Sequence, residues 1–393
     1  MMLVLIIATS TLTYAEGNTL TIPSAVQIAT EKSLDVMKYT NAVARYERDH
    51  ANALASSRQM KDMLEIDARF RKLANKASRT PAEEAEYQIL SSMLKKYMSA
   101  SERLDLEITS ELTPSSVEYM LNVNKALLKS AKENIYLSVY KSFNNITKAE
   151  DSIRVKSALI TNLESNYKVA AAKYAQGKIS ANSLNTLRLE LQKAKIELNT
   201  LQTELKKNMI EFNRSLGMPL DYEYTDYINE ELPETITAKT LQEYIDLAYA
   251  NNESFKAAQQ QFEIKKKEYE MTTGFYVYES NTKNMSAAIA YNEAKNQFET
   301  TDINLQLQVM NAVTSFQNQL TNLEKNKIAL NLQEKNLQET KSKYNLGLVT
   351  ELAVSEANIS YYKSQLDYLT ASRDTWLTKL NLDLITGTAE NNN

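Results

Sequence analysis

The chain has 393 residues, with 45 Lys and Arg against 49 Asp and Glu and a formal net charge of −4. That balance provides no electrostatic footprint for nucleic acid, and the absence of cysteine excludes disulfides, thiolate catalysis, thiolate metal sites and a lipid-modified cysteine. Six glycines and five prolines fall far below average usage of about 7% and 5%, so the elements are few and long.

Residues 1–15, MMLVLIIATSTLTYA, hold an apolar run followed by Thr13-Tyr14-Ala15, a small-x-small cleavage pattern. The segment is too short to span a membrane and reads as a secretory signal peptide, although no Lys or Arg precedes the run. The mature chain then begins at Glu16. A helix is expected over 24–60, entered through Pro23-Ser24 with Ser24 as N-cap. The lone histidine, His50, lies in the polar run RYERDHANA and reads as a surface residue. The opening Val26-x-Ile28-Ala29 returns in the second half as Ile245-x-Leu247-Ala248. The stretch from Ala29 to Tyr174 is much longer than its counterpart from Ala248 to Tyr344, so the first half carries an insertion, placed within 60–112. Inside it, Pro81–Met98 is expected to be helical, with Pro81 in the first turn and Glu83, Glu84 and Glu86 near its positive end. Leu64–Phe70 and Leu104–Ile108 alternate with period 2, the strand signal, but are short and sit in helix-forming company. Gly274–Tyr278 is the shorter equivalent in the second half.

The dominant pattern occurs twice, at 139–217 and again at 309–387, with a constant shift between the copies. Val139, Ile146, Ile153, Ile160, Tyr167 and Tyr174 fall seven apart and correspond to Val309, Phe316, Leu323, Leu330, Leu337 and Tyr344. Each run reaches Tyr-x-x-Gly (Tyr174/Gly177, Tyr344/Gly347), and the copies close on Gly217 and Gly387. A strict heptad keeps one seam of a helix on its partner. After Gly177 the seam resumes as Leu184, Leu187, Leu191, Ala194, Leu198, Leu201 and Leu205. The later stretch is less regular, with Tyr362, Leu366, Leu369, Trp376 and Leu380 as its best seam. Gly177 and Gly347 suit the left-handed residue that ends a helix, with Ser180 and Thr350 capping the next one.

The expected fold is therefore all-α, two pseudo-repeats of long antiparallel coiled-coil hairpins with few or no strands. Its segments are a signal peptide at 1–15, a first repeat at 16–217, a linker at 218–238 holding two prolines, a second repeat at 239–387 and a disordered tail at 388–393. No phosphate loop, nucleophile elbow or His/Cys pair is present, so no catalytic, cofactor or metal residue is assigned and the chain does not read as an enzyme. Carboxylate pairs such as Glu83/Glu84 read as solvated helix faces. Tyr361, Tyr362 and Tyr368, among 23 tyrosines, read as seam residues.

Two halves, each with an apolar-x-apolar-Ala opening, a long helix, Ala/Lys-x-x-Tyr-x-x-Gly and a returning heptad helix ending Leu-Gly or Thr-Gly, resemble the TolC-like outer-membrane efflux proteins. The stretches starting AAAKYAQGKIS and ETKSKYNLGLVT carry the likeness, which is strongest over 114–217 and 286–387. The resemblance implies an exported homotrimer of the outer membrane or periplasm whose six repeats build one α-barrel. It places a periplasmic adaptor and an inner-membrane pump as partners at the hairpin tips, marked by Tyr174, Gly177, Tyr344 and Gly347. It also implies an acidic constriction at the positions of Ala353 and Glu356, where only Glu356 keeps the charge. The strand hairpins that would close a membrane β-barrel have no room between Tyr278 and the helix starting near Asn284, so the barrel is expected to be missing or vestigial. Only the short alternating runs are placed to touch lipid, a contact the sequence leaves open. The rival reading is a non-conducting structural coiled-coil protein of the cell envelope.

Overall fold

The structure, a computed structural model, describes residues 19–94, 98–224, 226–227, 237–276, 278 and 281–389. The signal-peptide segment and the end of the tail lie outside them. Among the described residues the elements are β1 (Thr19–Leu20), α1 (Ile22–Lys32), α2 (Leu34–Ala74), α3 (Pro81–Leu94), α4 (Ala100–Ala175), α5 (Ala181–Ser215), β2 (Asp226–Tyr227), α6 (Leu241–Asn251), α7 (Glu253–Phe275), α8 (Thr282–Asn345) and α9 (Glu351–Thr386). The two strands are only a residue pair each and lie in parallel, so the fold is all-α as expected.

Both halves open alike. Thr21 caps α1 in a capping box with Ser24, and Thr240 caps α6 in one with Glu243. Ser33 then ends α1 and caps α2, as Asn252 ends α6 and caps α7. The expected single helix over 24–60 is thus two helices. Thr21 caps the first because its extended backbone leaves the Ser24 N–H within reach of its side chain, and Ser33 interrupts at φ −75°, ψ 119°. The second helix runs on to Ala74, so the alternating Leu64–Phe70 is helical, and Leu104–Ile108 lies in α4. The insertion is distributed as α3 with its flanking turns, an α2 of 41 residues against 23 in α7, and an α4 of 76 against 64 in α8. α3 is described over Pro81–Leu94, and 95–97 of the expected helix lie outside the described residues; Met98 itself is not helical, and its backbone N–H donates to the buried Asp67 at 3.0 Å. Within α4, Pro114 has no N–H to give the Ser110 carbonyl. Ser57 of α2 donates to that oxygen at 2.6 Å in the interior, so the long helix continues through the proline.

α4 and α5 form one hairpin and α8 and α9 the other, with α9 packed between α8 and α4. Toward the tips the helices therefore lie in the order α5, α4, α9, α8. At the opposite end the order is α3, α2, α4, α7, α8. Each half has its own core: Val139, Phe143 and Ile146 with Ile22, Phe212 and Leu216 in the first, Val309, Val313 and Phe316 with Tyr244, Ala248 and Leu382 in the second. A third cluster nearer the tips holds Leu159, Ile160, Leu163, Leu191 and Ala194. Leu187, Leu191 and Ala194 of the α5 seam are buried, whereas Leu198, Leu201 and Leu205 are half-buried. The α9 seam is not a single stripe: Val354, Ser355, Ala357, Asn358, Ala371, Thr375, Leu380 and Leu382 are all buried, because α9 has a partner on each side.

All four paired glycines have positive φ, 69° at Gly177 and 73° at Gly347. At the first tip the Gly177 N–H donates to Tyr174 O at 2.8 Å and the Lys178 N–H to Lys173 O at 2.9 Å, the double bond that closes a helix end. Gly347 repeats it with Tyr344 and Lys343. Ser180 and Thr350 cap the returning helices as expected. Open space surrounds a Cβ at either tip, so Gly347→Val meets only the strain of a side chain at positive φ, roughly 1–2 kcal/mol. Gly387→Ala meets Asn251 Cβ at 2.6 Å as well, and calorimetry should show it lowering Tm more than Gly347→Ala does. Leu191→Asp puts a charge into the α4–α5 seam; a loss of at least ~3 kcal/mol is expected, and wild-type melting would refute that seam.

Candidate functional site

The tips bring residues of both hairpins together. Lys173, just before Tyr174, lies in the last turn of α4; Tyr344 lies in the last turn of α8; Glu351 begins α9. The Lys173 ammonium pairs with Glu351 and donates to the Tyr344 hydroxyl at 3.2 Å, while that hydroxyl donates to Glu351 Oε1 at 2.5 Å. The ammonium also lies 5.0 Å from the Tyr344 ring centroid, within cation–π range. Glu351 is buried. Burial opposes its charge, but hydrogen bonds from Lys173 and Tyr344 outweigh that cost and hold it below the ordinary carboxylate range. Lys173 is raised chiefly by its hydrogen bond to Glu351 and next by Tyr344. The Tyr344 hydroxyl is raised by its bond to Glu351 and then by burial.

Further contacts sew the hairpins together above the tips. Ser355 of α9, fully buried, donates to Glu190 of α5 at 2.9 Å, and the Asn162 amide of α4 donates to the Tyr362 hydroxyl at 2.8 Å. Higher still, the buried Asp151 accepts from Arg154 at 2.6 Å and from Arg373 of α9 at 2.9 Å. These groups line an open cleft of about 560 Å³ with Thr147, Glu150 and Leu205. Lys148 pairs with Asp374, and the Trp376 indole N–H donates to the Tyr140 hydroxyl. The α4–α9 joint is thus polar at intervals over its whole length.

The sequence-derived tip residues fall where the repeat puts them, but they are not equivalent. Tyr344 is half-buried in the ionic cluster, whereas Tyr174 is exposed. Glu356 is exposed on α9 and takes no part in the cluster, and Ala353 is half-buried beside it. Lys173 and Glu351, the charged pair at this site, were missed by sequence reasoning. The heptad register marks the apolar seam and is silent on which charges meet across hairpins. The turns also differ in surface: Leu346 and Leu348 are exposed beside Gly347, where the first tip has Gln176 and Lys178. Among the described residues no group of three or more His, Asp or Glu could hold a metal, and no helix is long and apolar enough to cross a membrane.

With this geometry in hand, likeness to solved structures defines the class. The outer membrane protein VceC of Vibrio cholerae is similar at 14% identity over 93% of this chain and 96% of its own, with a TM-score of 0.56. CusC, described for transmembrane channel formation, is similar at 11% identity over 94% and 93%, with a TM-score of 0.60. The CmeC outer membrane channel of Campylobacter jejuni is similar at 11% identity over 94% and 87%, with a TM-score of 0.54. No family model and no curated sequence matches the chain. The chain therefore has the TolC-like helical-hairpin fold, the resemblance its doubled Tyr-x-x-Gly hairpins carry.

The ionic cluster has a defined pH window. A lowered carboxylate stabilises the joined tips above its unfolded pKa and stops doing so as pH falls through its folded value. A raised lysine contributes below its unfolded pKa and is lost as pH rises through its folded value. The tips are held most firmly between these limits, and acid releases them through Glu351. In Glu351→Gln, amide exchange at 173–177 and 344–351, corrected for intrinsic rates, should rise about 3- to 10-fold at neutral pH. It should then change little as pH falls below the ordinary carboxylate range, where the wild type accelerates. Equal exchange in both proteins would mean that the cluster does not join the tips.

Proposed function

We propose that the chain closes with identical copies into a homotrimeric α-barrel of the cell envelope that serves as a passive efflux or secretion conduit. The observation that carries this reading is the pair of unpartnered edges. α5 and α8 bound the row of four helices, and each exposes apolar residues away from its neighbour. On α5, Leu189, Ile196 and Ile210 fall on one heptad stripe, and Ile196 is 69% exposed. On α8, Ile328 and Leu332 are 60% and 62% exposed, and Met310 and Leu307 follow higher up. Ile196 follows Gly177 by the same separation at which Ile328 precedes Gly347, so in a ring with all tips at one end the two stripes meet at the same height. Such a head-to-tail contact closes only as a ring.

The exposed leucines beside Gly347 offer an apolar contact for a periplasmic adaptor, and the Lys173–Tyr344–Glu351 cluster sets how readily the tips separate in front of a pump. Tyr174, Gly177 and Glu356 complete this proposed tip and gate region. The likeness to outer-membrane proteins supports an exported envelope location. At the end opposite the tips the described residues form helices and a turn rather than strands, which favours a conduit with a reduced or missing β-barrel.

Light scattering of the mature chain without detergent is expected to show a trimer. Ile196→Glu should shift it to monomer with unchanged helicity, because this side chain is exposed within one chain. A wild-type monomer both with and without detergent would overturn the conduit and leave a structural coiled-coil rod.

A further inference from the structure

The α2–α3 hairpin occupies the end opposite the tips, and α3 has no counterpart in the second half of the chain. α3 packs on α2 through Tyr87, stacked on Phe70 at 5.3 Å, and through half-buried Leu90 and Leu94. Its outer face is Ala82, Ala85, Gln88, Ile89, Ser92 and Met93, all exposed and all uncharged. Ile89 and Met93 are 61% and 59% exposed. Four ion pairs lie within the hairpin: Arg69 with Glu86 at 2.7 Å, Lys76 with Glu83 at 2.7 Å, Arg79 with Glu84 at 2.8 Å and Arg71 with Asp67 at 2.7 Å. The described stripe itself carries no charge, and Lys95 and Lys96, which follow it in sequence, lie outside the described residues.

A second exposed apolar patch lies at the far edge of the same row, on the α7–α8 corner: Phe275, Tyr278, Met285 and Ile289. The two patches share a height. The Tyr276 hydroxyl bonds Ser101 at 3.0 Å and Lys283 bonds Asp105 at 2.5 Å, which sets the corner level with the start of α4. The bond from Met98 to Asp67 sets the lower half of α3 at that level too. α3 and α8 are the two ends of the row α3, α2, α4, α7, α8. We infer that the outer stripe of α3 is the seat for the α7–α8 corner of the next copy, so that a helical collar continues the ring at this end. The inference rests on the ring of the proposed function and extends its α5–α8 contact upward, with the same head-to-tail sense.

The chain has no cysteine, so Met93→Cys with Met285→Cys gives one thiol on each proposed surface. Treated with bismaleimidoethane, the double variant should yield covalent dimers and then the full ring, and each single variant should yield neither. A wild-type ring whose double variant gives no covalent product overturns the collar and leaves the conduit standing. A wild-type monomer removes both. Linkage in a single variant would mean that like patches meet, which also overturns the pairing. Because Ile89 and Met93 are exposed within one chain, Ile89→Glu with Met93→Glu keeps the helicity and should weaken the ring at least tenfold in dissociation constant. If that variant instead loses flotation with phosphatidylcholine–phosphatidylglycerol vesicles while the ring is unchanged, lipid is the occupant and the collar is wrong.

Discussion

The architecture depends on the burial of α9 from two sides. α9 meets α8, its own hairpin partner, and α4 of the other hairpin. Among the side chains of α9 buried in this way, Ser355, Ala357, Ala371 and Thr375 are small. The polar members are satisfied: Ser355 donates to Glu190, and Thr375 to the Ala371 and Gln319 carbonyls. Toward the tips this joint holds the two hairpins together, as the packing of α4 on α7 does at the opposite end. With it, the four helices form a row with a defined order, and a row has two ends.

The same fact explains what was legible. A coiled-coil heptad is read from large apolar residues at a and d, which α5 and α8 supply and α9 does not. Leu187 and Leu191, Val309 and Phe316 were placed correctly because each of their helices has one main buried face. The turns were legible because φ near 70° selects glycine, and four of only six glycines sit at these helix ends. The cap at Thr21 was misassigned to Ser24 because both belong to one capping box and either could begin a helix by type alone. The ionic cluster of Lys173, Tyr344 and Glu351 was invisible, since it joins the tips of two hairpins far apart in the chain and no local pattern records which tips touch.

The insertion shows how such a chain tolerates change. The openings of the two halves are related by one offset, and their tips by another, shorter one. All of their divergence in length lies between these, at the end remote from the tips. A helical hairpin can be lengthened there without altering the register below, provided that backbone groups are satisfied locally. Ser57 bonding the Ser110 carbonyl that Pro114 leaves free, and Asp67 bonding the N–H of Met98, are such local solutions. Because both use side chains of α2, the extra length of α2 and α4 is held as one unit.

The free ends of the row then set a requirement on the chain before assembly. An edge that closes a ring must be apolar enough to pair and polar enough not to aggregate. On α5 the heptad stripe reads Leu189, Ile196, Thr203, Ile210, with a threonine interrupting the apolar run. On α8 the facing stripe is broken in the same way, with Thr314 and Thr321 between Leu307 and Ile328. Each edge is therefore a series of short apolar contacts rather than a continuous seam. Such a surface binds weakly at any one position and firmly only when several contacts align, which happens when the tips are level. In the proposed ring, height matching along the helices, more than the strength of any single contact, would select closure over staggered stacking of chains.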